Sequence, residues 1–437
     1  MAFTIGILVF LVGILVSIGI HELGHMIPAK KFGVRVSQYM IGFGPTLWSR
    51  EKGETEYGLK AIPLGGYVRL VGMIPPADEV KPVRGTGWAA RLIEDTRLNA
   101  VEEIREGEEH RAFYRLAWWK RWIVMFSGPF TNLLIAIVLF TGIGTFFGLY
   151  TQVPTVAEVV PCTIPATLDR DCAAGDPPSA ATAAGLEAGD RIISFDGRDV
   201  ESWDALTAYV RAHPGETVVL GIERGGETLA INLTPSSAVR PLVDTDGLLV
   251  LDEAGEPVYV TVGFMGILPE VERVHQSLTY GITETVKFLG LSAEAVWHLP
   301  QSVSNSVQAL LGTEERNPNG GASIVGAGRW AGEIATGEAG GATIGDRVSQ
   351  MLFLLALVNL SLFVFNMLPL LPLDGGHMVG AVWQGIKDAW ARLRKIPRAA
   401  PVDLARTMPA AYAVFFVLLA VGLILTAADI FVPITAS

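Results

Sequence analysis

Charge is in short supply. Lys, Arg, Asp and Glu make up 18% of the 437 residues, hydrophobic residues make up 50%, and mean hydropathy is +0.40. An ordinary soluble protein is not this apolar, and a pure membrane bundle is not this mixed. Membrane helices joined to at least one soluble domain are therefore expected. Cysteine is scarcer still, with only Cys162 and Cys172, so no disulfide-rich scaffold can form. In an oxidising compartment the two can close a small loop as a disulfide; two free thiols are the alternative. The first apolar run has no basic residues ahead of it and no clear small-residue cleavage site, which argues against a removable signal peptide.

Four stretches are apolar over the ~20 residues that a spanning helix needs. They are Phe3–Met26, Trp122–Tyr150, Met351–Leu373 and Pro409–Pro433. Phe288–Leu311 is interrupted by Glu294, His298, Pro300 and Gln301, and reads as an amphipathic segment lying on the membrane or on the protein. Basic residues gather in 27–121 and 374–408 and hug the helix ends at Lys30, Lys31, Lys120, Arg121 and Arg392 to Lys395, whereas 149–350 is strongly acidic. The positive-inside rule makes the two basic segments cytoplasmic and places the acidic segment and both termini outside. Trp118, Trp119 and Trp122 suit interfacial anchors.

The expected organisation follows. Residues 1–27 form the first span and 28–121 a cytoplasmic segment. Within the latter, 39–73 has short alternating runs between turn signals at Gly44-Pro45, Lys52-Gly53 and Gly65-Gly66, which predict β hairpins. The stretch 76–110 reads as poorly ordered or helical. After the second span, 122–150, residues 151–236 have the rhythm of one small domain. It has strands joined at Asp196-Gly197, a helix over Ser202–Arg211 and a hairpin across Arg224-Gly225-Gly226. Residues 237–348 should add strands around turns at Asp246-Gly247 and Ala254-Gly255, the amphipathic helix, and a flexible Gly-rich linker. The third span covers 349–373, a cytoplasmic loop 374–408, and the fourth span 409–433. The fold class is thus a polytopic α-helical membrane protein of four transmembrane helices, with a membrane-associated β element and one extracytoplasmic α+β domain.

The first span carries "HELGH". His21 and His25, at i and i+4, lie on one helix face and can share a metal. Glu22 is rotated about 100° from His21; it can serve as general base toward a water beside the metal. Two imidazoles and a carboxylate suit zinc. Two packed histidines are the bland alternative, but ionisable groups in a membrane helix are costly and default to function. The third ligand falls in "FNMLPLLPLDGGHM". Prolines unwind that helix end, Gly375 and Gly376 permit tight backbone, and the inferred topology brings Asp374 to the depth of His21 and His25. The competing reading is that Asp374 only caps a turn. His377 suits a hydrogen bond or loop position better than a ligand. Gly128, Pro129 and Asn132 either shape the site or pack the start of the second span.

HELGH together with NMLPLLPLDGG resembles the two signatures of the site-2 protease family of intramembrane zinc metalloproteases, of the regulator of sigma-E protease type. The resemblance extends to IGFGPTLWS, IPLGGYV and FSGPFTN, and AAGLEAGDRIISFDGRDV is similar to the core of bacterial PDZ domains. A single PDZ-like domain and a cysteine pair ahead of its core look most like the actinobacterial branch. The resemblance implies one Zn2+ ion held by His21, His25 and Asp374, with Glu22 activating water and Asn366 orienting substrate or stabilising an oxyanion. It implies a β element that pairs with an unwound substrate strand, with Gly42, Phe43, Gly44, Gly65, Gly66 and Tyr67 as candidates. The external domain would filter or dock substrates. It further implies a bacterial plasma membrane, an active site near the cytoplasmic side, and single-pass membrane substrates, anti-sigma factors among them, cut after a first external cleavage. No nucleic-acid partner is expected. Two other classes stand beside this: a non-catalytic membrane scaffold, which should have lost Glu22, and a metal transporter, which should carry polar residues in several spans.

Overall fold

A computed structural model describes residues 1–434 apart from 84, 103, 165–169, 243–256, 318–319, 341 and 398–399. The turns expected at 246–247 and 254–255 lie outside the described residues. The chain forms two compact units, 1–147 with 276–437, and 148–275.

In the first unit, α1 runs Ala2–Lys31, and Lys30 and Lys31 in its last turn complement the helix dipole. One stripe of α1, Gly6, Phe10, Ile14, Ser17 and His25, is buried, while Leu8, Val12, Val16 and Ile27 are exposed. That is a helix apolar on all sides, with the HELGH face turned to protein. Strands β1 (Val36–Lys52) and β2 (Thr55–Leu70) follow. Of the three turn signals, only Lys52-Gly53 reverses the chain. Around the other two, both strands bend: Gly42, Gly44 and Gly65 have positive φ, and the register shifts there. As a result Gln38–Ile41 pairs on one side with Glu56–Leu59 and on the other with Gly66–Arg69. The run 66–70 becomes an edge. Helix α2 (Trp88–Glu102) lies within the stretch expected to be irregular or helical, and α3 (Trp118–Gly142) continues through a wider helical turn to Phe147.

The second unit contains β3 (Leu149–Val159), α4 (Ala180–Ala184), β4 (Arg191–Phe195), β5 (Arg198–Asp199), α5 (Trp203–Ala212), β6 (Val218–Arg224), β7 (Glu227–Leu233), β8 (Ser236–Pro241), β9 (Tyr259–Phe264) and β10 (Ile267–Val274). Its main sheet has the order β10-β3-β4-β6-β7, with β5 beside β4; β8 and β9 pair separately. Leu206 and Val210 of α5 bury against Ile192, Leu220 and Ile222. The unit runs past the expected boundary at 236, because β10 supplies the strand that pairs β3. Cys162 and Cys172 are bonded to each other.

The first unit resumes with α6 (Tyr280–Trp297) and α7 (Leu299–Leu310). The expected amphipathic segment is thus two helices broken at His298, and Phe288 stacks on Phe140 of α3. The expected flexible linker is corrected: it contains α8 (Ile324–Thr336), capped by the Ser323 hydroxyl and ended by Gly337 in the left-handed region. Its small residues serve close packing rather than freedom; a Cβ on Gly6 of α1 would lie 2.3 Å from the Ala331 carbonyl oxygen. Helix α9 spans Ile344–Met367, so the third apolar helix stops short of the expected Leu373. The prolines and a run of irregular backbone fill the gap. The segment 374–408, expected as the loop between the third and fourth spans, holds the 20-residue α10 (Asp374–Leu393). Finally α11 runs Met408–Phe431. Among the described residues, four helices are long and apolar enough to cross a membrane: Ala2–Lys31, Trp118–Phe147, Ile344–Met367 and Leu404–Phe431.

Candidate metal centre

Three donors converge where α1, α3 and the start of α10 meet. The Nε2 atoms of His21 and His25 are 3.2 Å apart, and Asp374 Oδ2 is 3.4 Å from the first and 3.3 Å from the second. Among the described residues, no other group of three or more His, Cys, Asp or Glu has such spacing. Tetrahedral zinc with bonds of about 2.0–2.1 Å separates its donors by about 3.3 Å. All three edges match this spacing, and the donor set of two imidazoles and a carboxylate suits zinc. Asp374 reaches this point as the first residue of α10. Gly375 lets the chain turn there, since a Cβ on it would lie 2.2 Å from the Leu368 carbonyl oxygen.

Helix α3 forms the wall behind the imidazoles. The Nδ1–H of His25 donates to the Val124 carbonyl at 2.8 Å, which leaves the Nε2 lone pair facing the other donors. Gly128 lets the two helices approach, because a Cβ there would sit 2.1 Å from His25 Nε2. The side-chain amide of Asn132 lies 3.1 Å from His21 Nδ1. One turn above His21, Asn359 of α9 donates to the Ser17 hydroxyl at 3.0 Å and pins α9 to α1.

Glu22 is buried and lies beside the cluster, close to the strand that carries Gly66 and Val68. The strand can come this close because position 66 is glycine; a Cβ on Gly66 would lie 3.2 Å from Glu22 Cγ. His21, Glu22, His25 and Asp374 open into one cavity of about 780 Å³. Asn366, Gly65, Gly66 and Tyr67 line the same cavity. Gly42, Phe43 and Gly44 do not; Phe43 instead stacks on Tyr67 with ring centroids 6.1 Å apart. His377 lines the cavity outside the His21, His25 and Asp374 cluster, and its Nδ1 is buried with no hydrogen-bond partner among the described residues.

Sequence reading missed several contributors. Val124 acts through its backbone carbonyl, which no residue type announces. Ala322, Ser323, Ile324 and Ala327 wall the cavity from a segment whose glycine content suggested a linker. For α8 one signal was available: Ser323 ahead of an apolar run and Gly337 after it are helix start and stop residues.

Comparison with known proteins bears on this site. The family model for "Peptidase family M50" matches residues 9–405. The chain is 33% identical to "Zinc metalloprotease Rip1" of Mycobacterium tuberculosis, covering 99% of both chains. It is 32% identical to the protein of that name in Mycolicibacterium smegmatis, covering 100% of this chain and 99% of the relative. It is 26% identical to "Zinc metalloprotease RasP" of Geobacillus kaustophilus, covering 82% and 84%.

Proposed function

The chain belongs to peptidase family M50 and is a zinc metalloendopeptidase, and from that premise we propose that it cuts single-pass membrane proteins within or near the bilayer. The observation that carries this reading is the convergence of His21, His25, Asp374 and Glu22 in one cavity walled by candidate spanning helices. His21 and His25 through Nε2 and Asp374 through Oδ2 would hold the zinc. When bound, the ion acts as a Lewis acid toward the scissile carbonyl and makes water a usable nucleophile at neutral pH. Glu22 takes the proton from the attacking water and passes it to the leaving amine. The Asn366 amide donates to the oxygen on which negative charge develops.

A helical peptide bond is shielded, so the substrate must unwind. The edge run 66–70 lies along the cavity beside Glu22 and can pair with the freed backbone, replacing hydrogen bonds that water cannot supply there. The 148–275 unit is the PDZ-like domain. A cavity of about 190 Å³ between α5 and Gly263–Ile267 supports that reading. The unit lies outside a bacterial plasma membrane and excludes substrates not yet trimmed by a first cleavage. The basic segments around α2 and after α10 lie on the cytoplasmic side. Anti-sigma factors are the substrate class that the family resemblance suggests.

The test is cleavage of a single-pass substrate by purified protein in liposomes. Wild type should cut it, and E22Q should not while still holding zinc. Persistent cutting by E22Q would overturn the assignment.

A further inference from the structure

A histidine can offer Nε2 to a metal only if its proton sits on Nδ1. For His25 the Val124 carbonyl enforces that state, since a carbonyl can only accept. For His21 the partner is Asn132, whose amide can present either a donor or an acceptor. Asn132 is 1% exposed, and its Nδ2 lies 3.1 Å from His21 Nδ1 while Oδ1 is buried with no hydrogen-bond partner among the described residues. In that orientation the amide donates to Nδ1, the His21 proton moves to Nε2, and that nitrogen cannot be a ligand. A half turn of the amide exchanges its ends. Nδ1–H then donates to Oδ1, the unpartnered oxygen gains its bond, and the Nε2 lone pair points to His25 Nε2 and Asp374 Oδ2.

We propose that Asn132 is a positioning residue for the metal centre, its Oδ1 accepting the His21 Nδ1–H and thereby fixing Nε2 as the zinc-facing atom. The inference rests on the ligand set proposed above. Geometry makes α3 the common support for both imidazoles. Val124, Gly128 and Asn132 form a single stripe at i, i+4 and i+8. Side chains tilt toward the N-terminus of their own helix. Asn132 therefore leans back toward Gly128, His21 leans away from His25, and the two meet. The stripe thus provides an acceptor for each histidine and a Cβ-free gap between them.

The experiment measures zinc affinity of purified full-length protein in nanodiscs by chelator competition, together with the zinc-induced rise in unfolding temperature. N132L keeps the size of the side chain and removes the acceptor. It should bind zinc 10–100-fold more weakly, with the metal-free unfolding temperature near that of wild type. N132D keeps an oxygen acceptor and removes the donor, and should bind zinc at least as tightly as wild type. Wild-type affinity in N132L would overturn the proposal, as would equal destabilisation of metal-free and zinc-loaded protein, which would make Asn132 a packing residue. If N132L does not fold, N132D decides: retained affinity upholds the proposal and a tenfold loss overturns it. H21A serves as the control. Zinc binding that survives H21A would refute the ligand set itself, separately from the role of Asn132.

Discussion

Replacing Gly128 by alanine sets two effects against each other in one helix. Alanine is favoured over glycine in a helix interior by about 1 kcal/mol, so on propensity alone G128A should stabilise α3. The added methyl, however, would lie 2.1 Å from His25 Nε2, 2.4 Å from Cε1 and 2.7 Å from Cδ2, well inside the 3.4 Å at which ordinary contact begins. The imidazole has little room to yield, being 4% exposed and hydrogen-bonded to Val124. Forcing it aside costs about 1–3 kcal/mol of overpacking and endangers a buried hydrogen bond of about 1 kcal/mol. The clash outweighs the propensity gain, and the damage falls on a proposed ligand atom, which would need to sit within about 2.1 Å of zinc. We expect G128A to remain folded, to lose bound zinc on dialysis, and to lose proteolysis with it. Metal analysis of dialysed protein in detergent reads this directly. The control is G142A in the same helix, where the nearest atom to the new methyl is 4.0 Å away; it should keep zinc and activity. Full zinc retention by G128A would refute the close-packed α1–α3 wall as the basis of the site.

Other perturbations separate the remaining parts. G66A places a methyl 2.9 Å from Ile18 Cγ2 and 3.2 Å from Glu22 Cγ; cleavage should fall at least about tenfold while zinc content, measured on the same sample, stays at wild type. Arg316 and Asp429, 4% and 3% exposed and 2.5 Å apart, tie the segment before α8 to α11. D429A strands a buried guanidinium and should cost about 3–5 kcal/mol, read as a fall in thermal unfolding temperature; an unchanged value would deny the pair a structural role. In the 148–275 unit, the Arg224 guanidinium bonded to Asp190 holds that carboxyl below the usual carboxylate range. A depressed folded value means the pair stabilises above the ordinary range, and that contribution fades as pH falls through the lowered value. Hydrogen exchange of the intact chain should show R224A losing stability near neutral pH and losing less than wild type on further acidification; parallel acid limbs would contradict it.

The chemistry-bearing residues could be read from sequence for a definite reason. A histidine or carboxylate costs so much in an apolar helix that its presence marks a site, and the i, i+4 spacing of His21 and His25 follows from helix periodicity alone. Span lengths followed from hydropathy, except where Pro369 and Pro372 ended α9 early. Glycine was the opaque residue. In 312–345 its abundance suggested freedom, yet Gly332 abuts the Phe3 ring, as Gly385 of α10 abuts the Trp118 ring, each within 3 Å of where a Cβ would be. A glycine needed for flexibility and one needed for close approach look the same in sequence, because both are defined by a missing side chain. Only the neighbour distinguishes them.

The sequence by itself therefore marked His21, His25 and Asp374 as the candidate metal ligands and Glu22 as the candidate base, and it outlined the apolar spans and the β-rich unit between two of them. Tertiary structure decided what surrounds those residues. It set the carbonyl of Val124 and the amide of Asn132 against the imidazoles, brought the edge run 66–70 beside Glu22, and laid α8 along the cavity. These features are contacts between segments far apart in the chain, so even where a residue such as Asn132 stood out beforehand, its partner exists only once the helices are packed.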